Sequence, residues 1–392
     1  MPVTAFQGLR GTGEFDTDHR PKNFRELFTL MEPNGNAPLN ALLSMGQSEA
    51  TDDPEFKNFR DELPDRVAVS SAAYASNVTT IVLNAGVENK FFIAGTIVVN
   101  GTSGEVMQVT ADTTGTNLVV TRNLGGTSLA IVSGDKLFVA GFAAAENGVT
   151  PTAISFDAVI AYNYTQIFKT AFGVSNTLKA TRLRTGSKED EVMTKALKLH
   201  MSDIERAMFF GRRVETNGST AAPTRMTGGL LNSVSTVLDA TSGAYSGGII
   251  SEVKFDELLI NTIFKYGSKQ KVAFVGWQVA ALLQQIGKAR WQPTVMEGTY
   301  GINLMKYSTF AGDLLIHLHP QFRQVPGMDN SMVVVDFPNL RYRYLEGRDT
   351  DLLENRQSNN QDGVLHEYRT ECGLELLQDR VHAVIKNWSK LA

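Results

Sequence analysis

One face of a helix can be traced without a break from Val192 to Gly211. Val192, Met193, Ala196, Leu197, His200, Ile204, Ala207, Met208 and Gly211 recur at helical spacing, with Lys195, Lys198, Ser202 and Glu205 on the opposite side. Ser187 followed by Asp190 resembles a capping box, and Glu189, Asp190 and Glu191 suit the positive end of a helix dipole. Gly211 is read as the left-handed residue that ends the helix. Roughly 25 residues at 1.5 Å each give a rod of about 40 Å, longer than the average globular helix. The tract that follows, "TNGSTAAPTRMTGG" (Thr216–Gly229), reads as a flexible hinge into a second domain. It lacks the G-x-x-x-x-G-K-[ST] spacing that would wrap a phosphate.

The segments around the rod differ in kind. Residues 1–55 hold glycines, prolines and short apolar clusters such as "FRELFTLMEP", a short helix before Pro33, and read as an arm. From about Asn77 to Ala140 the composition turns to Val, Ile, Thr, Gly and Asn with hardly a charge. Short β-rich runs at roughly ten-residue spacing predict a small inserted all-β module of sandwich or barrel type. Beyond the hinge, "SEVKFDELLINTIFKYG" and "WQVAALLQQIGKAR" predict helices. "KVAFVG", "DLLIHLHP" and "MVVVDF" predict strands, and together they make an α/β unit. "VLHEYRTECGLELL" alternates apolar and charged residues as a long two-faced strand, and "RVHAVIKNW" predicts a second strand after a turn at Gln378 and Asp379.

Composition removes several classes of function. A chain of 392 residues, 42% hydrophobic and 20% charged, can bury a large core. A net charge of −4 argues against a dedicated nucleic-acid binder. The single cysteine, Cys372, excludes an internal disulfide and fits a reducing compartment. The start lacks a signal peptide, and no window reaches the ~18 apolar residues of a membrane span, so a soluble cytoplasmic product is expected.

His317 and His319 sit two apart on a predicted strand and would need a third ligand to hold a metal. No further His or Cys cluster joins them, so they read as a partly solvated strand face. Cys372 on the apolar face of a strand reads as core packing, not a nucleophile. Glu189 to Glu191 and the pair Glu367 and Glu371 read as helix capping and a solvated strand face, not a carboxylate dyad. Arg182, Arg184, Arg212, Arg213 and Arg225 bracket the long helix, open to phosphate or to acidic residues of a neighbouring chain. No nucleophile elbow or dinucleotide fingerprint appears. No catalytic, cofactor-binding or metal residue is assigned, and the chain is not expected to be an enzyme.

An arm, a β insertion, a rod and a long two-faced strand without chemistry suit a structural protein that assembles. In that order, from about residue 55, the chain resembles the tailed-phage major capsid proteins with the Hong Kong 97-like fold. The resemblance is carried by the Arg-x-x-Gly-Gly-Thr turn at Arg122–Thr127, "YNYTQIFKTAFGVSNT" at Tyr162–Thr177 and "DIERAMFFG" at Asp203–Gly211. "TRMTGGL" at Thr224–Leu230 and the closing "HEYRTECGLELLQDRVHAVI" complete it. It implies an α+β fold: an N-terminal arm (1–55), an extended loop (56–185) carrying the β insertion at about 77–140, and a peripheral domain with its spine helix and hinge (186–220). An axial α/β domain (221–345) and returning peripheral strands (346–392) follow. It also implies hexamers and pentamers in an icosahedral head that encloses DNA without reading its sequence. Portal, scaffolding or decoration proteins are the implied partners, and the virion, assembled in the bacterial cytoplasm, the implied location. A tail or adhesion component binding surface carbohydrate, suggested by the Thr, Asn and Gly-rich module, is the competing reading.

Overall fold

The computed structural model describes residues 37–39, 43, 48–146, 148–181, 187–242, 245, 247–287 and 305–391. The helix read in "FRELFTLMEP", most of the arm, Arg182 and Arg184 lie outside the described residues. The chain divides into two compact units, one made of Met1–Asn58 with Ala161–Ala392 and the other of Phe59–Ile160.

The smaller unit is a six-stranded sheet. Its order is Val67–Val69, Lys136–Phe142, Thr96–Asn100, Val106–Thr114, Asn117–Thr121 and Thr80–Val82. All neighbours are antiparallel. A bridge between Ser70 and Leu83 brings the two edges together, closing the sheet on itself. Period-two alternation is plain in Thr96–Asn100, where every second residue is buried. Val98, Met107, Leu118 and Leu137 fill the interior with Phe92 and Ile81. The sheet begins ten residues before Asn77, at Val67. That first strand is three residues long, too short for alternation to declare itself in sequence.

The larger unit is built on two sheets. The first runs Thr236–Asp239, Ala383–Lys386, Met332–Val335, Gln270–Val275, Asp313–Leu318 and Met305–Ser308. Its central strands are apolar on both faces because both faces are covered. On one side lie the helices Glu252–Leu258, continued as a π-helix over Leu259–Ile263, and Trp277–Gly287. On the other, Val272, Phe274, Val333 and Val335 share a core with Ile204, Met208 and Phe209 of the long helix. The second sheet runs Ser48–Thr51, Leu340–Leu345, Gly363–Leu376 and Gln166–Ser175, with Asp351–Leu353 also paired to the long strand. Ala383–Lys386 therefore does not stay beside Gly363–Leu376 but enters the other sheet. Ala383, Val384 and Ile385 are all buried, and a strand apolar on both faces belongs in a sheet's interior.

The helix spans Lys188–Phe210, and the Ser187 hydroxyl accepts the Asp190 N–H at its start. Ala196 packs with Phe172 and Tyr368 on the second sheet, while Ile204, Met208 and Phe209 join the core of the first. One rod thus ties both sheets together. Its far side is not the solvent face expected: Ser202 and Glu205 are buried as well. Among the described residues no helix is long and apolar enough to cross a membrane.

Candidate functional site: the joint at the end of the long helix

Where the rod ends, the chain is packed tightly. Gly211 has φ −54 and ψ 148, so its role is not the left-handed turn read from sequence. Space is what it supplies: a Cβ there would lie 2.4 Å from the carbonyl oxygens of both Ala207 and Thr227. Gly229 donates its N–H to Gly211 O at 2.8 Å, and a Cβ on Gly229 would lie 2.7 Å from Ala207 O. Asn163 closes the node. Its Nδ2 donates to Gly228 O (3.0 Å) and Leu374 O (2.6 Å), and its Oδ1 accepts Gly228 N–H (2.7 Å). Leu374 N–H donates to Thr227 Oγ1 at 3.2 Å, fastening the joint to the long strand. The reading of Thr216–Gly229 as a flexible hinge is corrected for its second half, since Thr227, Gly228 and Gly229 are buried. Val214–Thr216 and Thr224–Met226 pair as a hairpin before it. Gly211→Ala is expected to destabilise the subunit by about 1–3 kcal/mol or more, because backbone on both sides must move. A thermal melt within error of wild type would refute the clash.

Nearly two helical turns before Gly211, the rod holds the arm. Leu39 N–H donates to Glu205 Oε1 at 2.9 Å, and His319 Nε2 meets the same oxygen at 2.9 Å. The Gln321 N–H donates to His319 Nδ1 at 3.2 Å, so Nε2 is the ring nitrogen left to donate to Glu205. Gln321 also donates from Nε2 to Ser202 Oγ at 3.0 Å. The Glu205 and His319 side chains are fully buried, the ring enclosed by Phe209, Phe274 and Phe322 at 4.8, 5.7 and 4.5 Å between centroids. Glu205 is thus a latch, a buried carboxylate that holds an arm amide and an imidazole on one oxygen.

The other candidates disperse. His317 lies on Asp313–Leu318 and His319 just beyond it, both buried, so the partly solvated strand face is corrected; His317 lies against Phe274, and His319 is covered by Glu205 and Phe209 of the long helix and by Phe322 of the turn Pro320–Gln324. Cys372 is in the core, where burial pushes its thiol up to about 12. Glu189 pairs with Lys179 (2.9 Å) and His366 (3.2 Å), and Glu191 with Lys188 (2.7 Å) and Lys195. Glu367 faces Lys169 at 3.6 Å. Glu371 is buried, not solvated, with Arg348 Nε at 2.5 Å and Thr165 Oγ1 at 3.2 Å. Arg225 pairs with Glu215 at 2.8 Å, Arg213 lies 4.0 Å from the Tyr162 ring centroid, and Arg212 is exposed. Among the described residues no group of three or more His, Cys, Asp or Glu is placed to hold a metal.

Of two further buried bases, Lys271 carries no signal in the sequence and His200 reads there only as one position of the apolar stripe. Lys271 donates its ammonium to Ile263 O (2.6 Å), Tyr266 O (2.8 Å) and Val381 O (2.6 Å), holding the end of the π-helix. Burial lowers it to about 8, against a weaker opposing pull from Asp336. His200, fully buried between rod and sheet, bonds Thr170 Oγ1 at 2.9 Å and Thr370 Oγ1 at 2.8 Å. Burial lowers its pKa below 6.5, and Asp203 offsets this only in part. The unfolded chain then binds the proton more tightly. Stability from this group is complete above about pH 6.5 and is lost as pH falls towards the folded value, at up to about 1.4 kcal/mol per pH unit. Urea midpoints at pH 7.5 and 5.5 are expected to differ more for wild type than for His200→Gln; equal differences would refute it.

The comparisons with known proteins give this stitched joint and arm a context. A family model described as SU10 major capsid protein matches residues 8–389. The chain belongs to that family. It is a major capsid protein of a bacteriophage, a structural component of the virion. The chain is also 29% identical over 360 residues to the major capsid protein of Pseudomonas phage PaMx41, covering 88% of this chain and 84% of the relative. Among solved structures it is similar to the capsid of an empty GTA particle, with TM-score 0.46, 10% identity and 94% of both chains covered. The SrpI encapsulin complex from Synechococcus elongatus gives TM-score 0.41 and 13% identity over 59% of this chain and 78% of that one. In this capsid protein the joint and latch fix the rod against both sheets of the larger unit.

Proposed function

We propose that copies of this chain assemble through hexamers and pentamers into the icosahedral head of a tailed phage, enclosing its packaged double-stranded DNA. The observation that carries this is the family match, which runs from residue 8 to residue 389 and so covers the whole plan of the chain. The subunit follows the Hong Kong 97-like arrangement: arm (1–55), extended loop with its β insertion (56–185), spine helix (186–220), axial domain (221–345) and returning strands (346–392). A closed shell of identical chains needs a rigid core with arms that reach neighbours, because contacts at five-fold and six-fold positions differ in angle. The packed joint and the Glu205 latch support such a core. A net charge of −4 suits a wall along which DNA must move without sticking. Portal and scaffolding or decoration proteins are its partners, the host cytoplasm its place of assembly and the virion its destination; the role needs no catalysis.

The purified chain, expressed with any scaffold it requires, is expected to yield megadalton shells by size-exclusion chromatography and electron microscopy. A stable monomer or trimer under every assembly condition would overturn the proposal, and a trimer would favour the adhesion reading.

A further inference from the structure

The β unit holds a cleft of about 510 Å³ between the turn at Ala94 and Gly95, the strands that carry Gln108 and Phe142, and residues 143–145 and 148–152. That lies within the ~300–1,000 Å³ typical of small-ligand sites. Phe142 forms one wall, 45% exposed, and its ring edge sits over the bare backbone of Gly95, where a Cβ would come within 2.8 Å. Asp112 forms another. Its Oδ1 accepts Ala94 N–H at 2.8 Å and its Oδ2 accepts the Thr152 hydroxyl at 2.6 Å, so the carboxylate is fixed in place. These hydrogen bonds hold it below the usual carboxylate range, hence ionised at neutral pH. Gln108 donates to Ala143 O at 3.3 Å and keeps its own carbonyl oxygen as an acceptor.

The chemistry of the lining decides what fits. None of its described residues carries a positive charge, so an anionic ligand such as a phosphate would meet Asp112 unopposed. One carboxylate is too few oxygens for a metal cation. A wholly apolar ligand would strip water from an ionised group and return no hydrogen bond. A neutral ring with one apolar face for Phe142 and hydroxyls to donate to Asp112 and Gln108 uses all three groups at once. We infer that the cleft walled by Phe142, Asp112 and Gln108 binds a neutral oligosaccharide. Sugar C–H groups, slightly positive, pack on the negative face of the ring, and two hydroxyls give charge-assisted bonds to the carboxylate. This goes beyond the shell-forming role, and it keeps that role while giving the Thr, Asn and Gly-rich unit a ligand. Repetition of the cleft in a shell would multiply a weak single-site affinity.

The test uses the full unassembled chain and saturation-transfer NMR with maltotriose, mannotriose and chitotriose at about 10 mM, roughly ten times the ~1 mM affinity of a weak single site. At least one sugar is expected to show transfer, strongest at its C–H face. Asp112→Asn, which keeps an acceptor for Ala94, is expected to weaken that sugar about tenfold with the melting temperature unchanged. Should Asp112→Asn melt low, Gln108→Ala supplies the same readout with smaller structural risk. Silence from all three sugars, or equal binding by wild type and both variants, overturns the inference. Occupation of the cleft by a neighbouring copy, seen as cross-links to Phe142→Cys only in assembled material with no sugar signal, overturns it too.

Discussion

Arg122→Ala is expected to lower the melting of the β unit by on the order of 15 °C while the larger unit keeps its own transition. The arginine uses all its donors. Nε meets Glu105 Oε1 at 2.8 Å and Nη2 meets Oε2 at 2.5 Å. Nη1 donates to the carbonyls of Val78 (3.0 Å) and Ala75 (3.4 Å), and Nη2 to that of Leu129. The pair is almost dry, with side chains 5% and 1% exposed. Burial alone would raise the Glu105 pKa, but the bonds from Arg122 and the Leu129 N–H outweigh it and the carboxyl is held low. Removing the arginine strands a buried carboxylate and three carbonyls, a loss of about 3–5 kcal/mol for one partner of a buried pair. That is a large share of the ~5–15 kcal/mol that holds a domain together. Arg122→Lys restores the charge but not the fork and should recover only part of the loss. Calorimetry showing a single unchanged transition for Arg122→Ala would refute the role.

That arginine shows what a sequence discloses and what it withholds. The Arg-x-x-Gly-Gly-Thr turn was visible as a sign of kinship. Its physical reason was not, because Glu105 lies 17 residues away and the Ala75 carbonyl 47 residues away. The rod was legible almost to the residue, since capping and 3.6-residue periodicity are local signals. Its second buried face was not. Periodicity marks one stripe, and nothing near Glu205 in the chain announces that Leu39 and His319 will cover it. At Gly211 the right position was found for the wrong reason: a helix end suggests a left-handed glycine, whereas the need here is room for the Thr227 carbonyl. The burial of Glu371, likewise, depends on Arg348 and on Thr165 from a distant strand.

The same distinction matters for the assembled particle. A joint made of glycine backbone against backbone transmits force better than one made of long side chains, because no rotamer can give way. The Asn163 amide adds direction, reaching Gly228 and Leu374 at once. The rod and long strand are therefore fastened to each other, while Val214–Thr216 and Thr224–Met226 pair as a largely exposed hairpin.

Ile204→Asp is expected to leave almost no soluble, assembly-competent protein. Ile204 is fully buried in the cluster that joins the rod, Phe274, Phe322 and the arm residues Leu39 and Leu43. The substitution removes a side chain whose loss to a smaller one typically costs about 2–5 kcal/mol. It then adds a carboxyl to an apolar site, where a negative charge has no partner. The new group would be held neutral, its folded pKa raised above the ~3.9 of the unfolded chain. By linkage, the stability that its neutral form preserves is present below about pH 3.9 and is lost as pH rises through the folded value, so the defect grows towards neutrality. Ile204→Val, a loss of about 0.5–1.5 kcal/mol, should fold and form particles, which separates the charge from the cavity. The measurements are soluble yield, circular dichroism and particle counts for the three proteins at pH 7. Soluble Ile204→Asp that assembles as wild type would mean that this face of the rod is not the one against which the arm and sheet are packed.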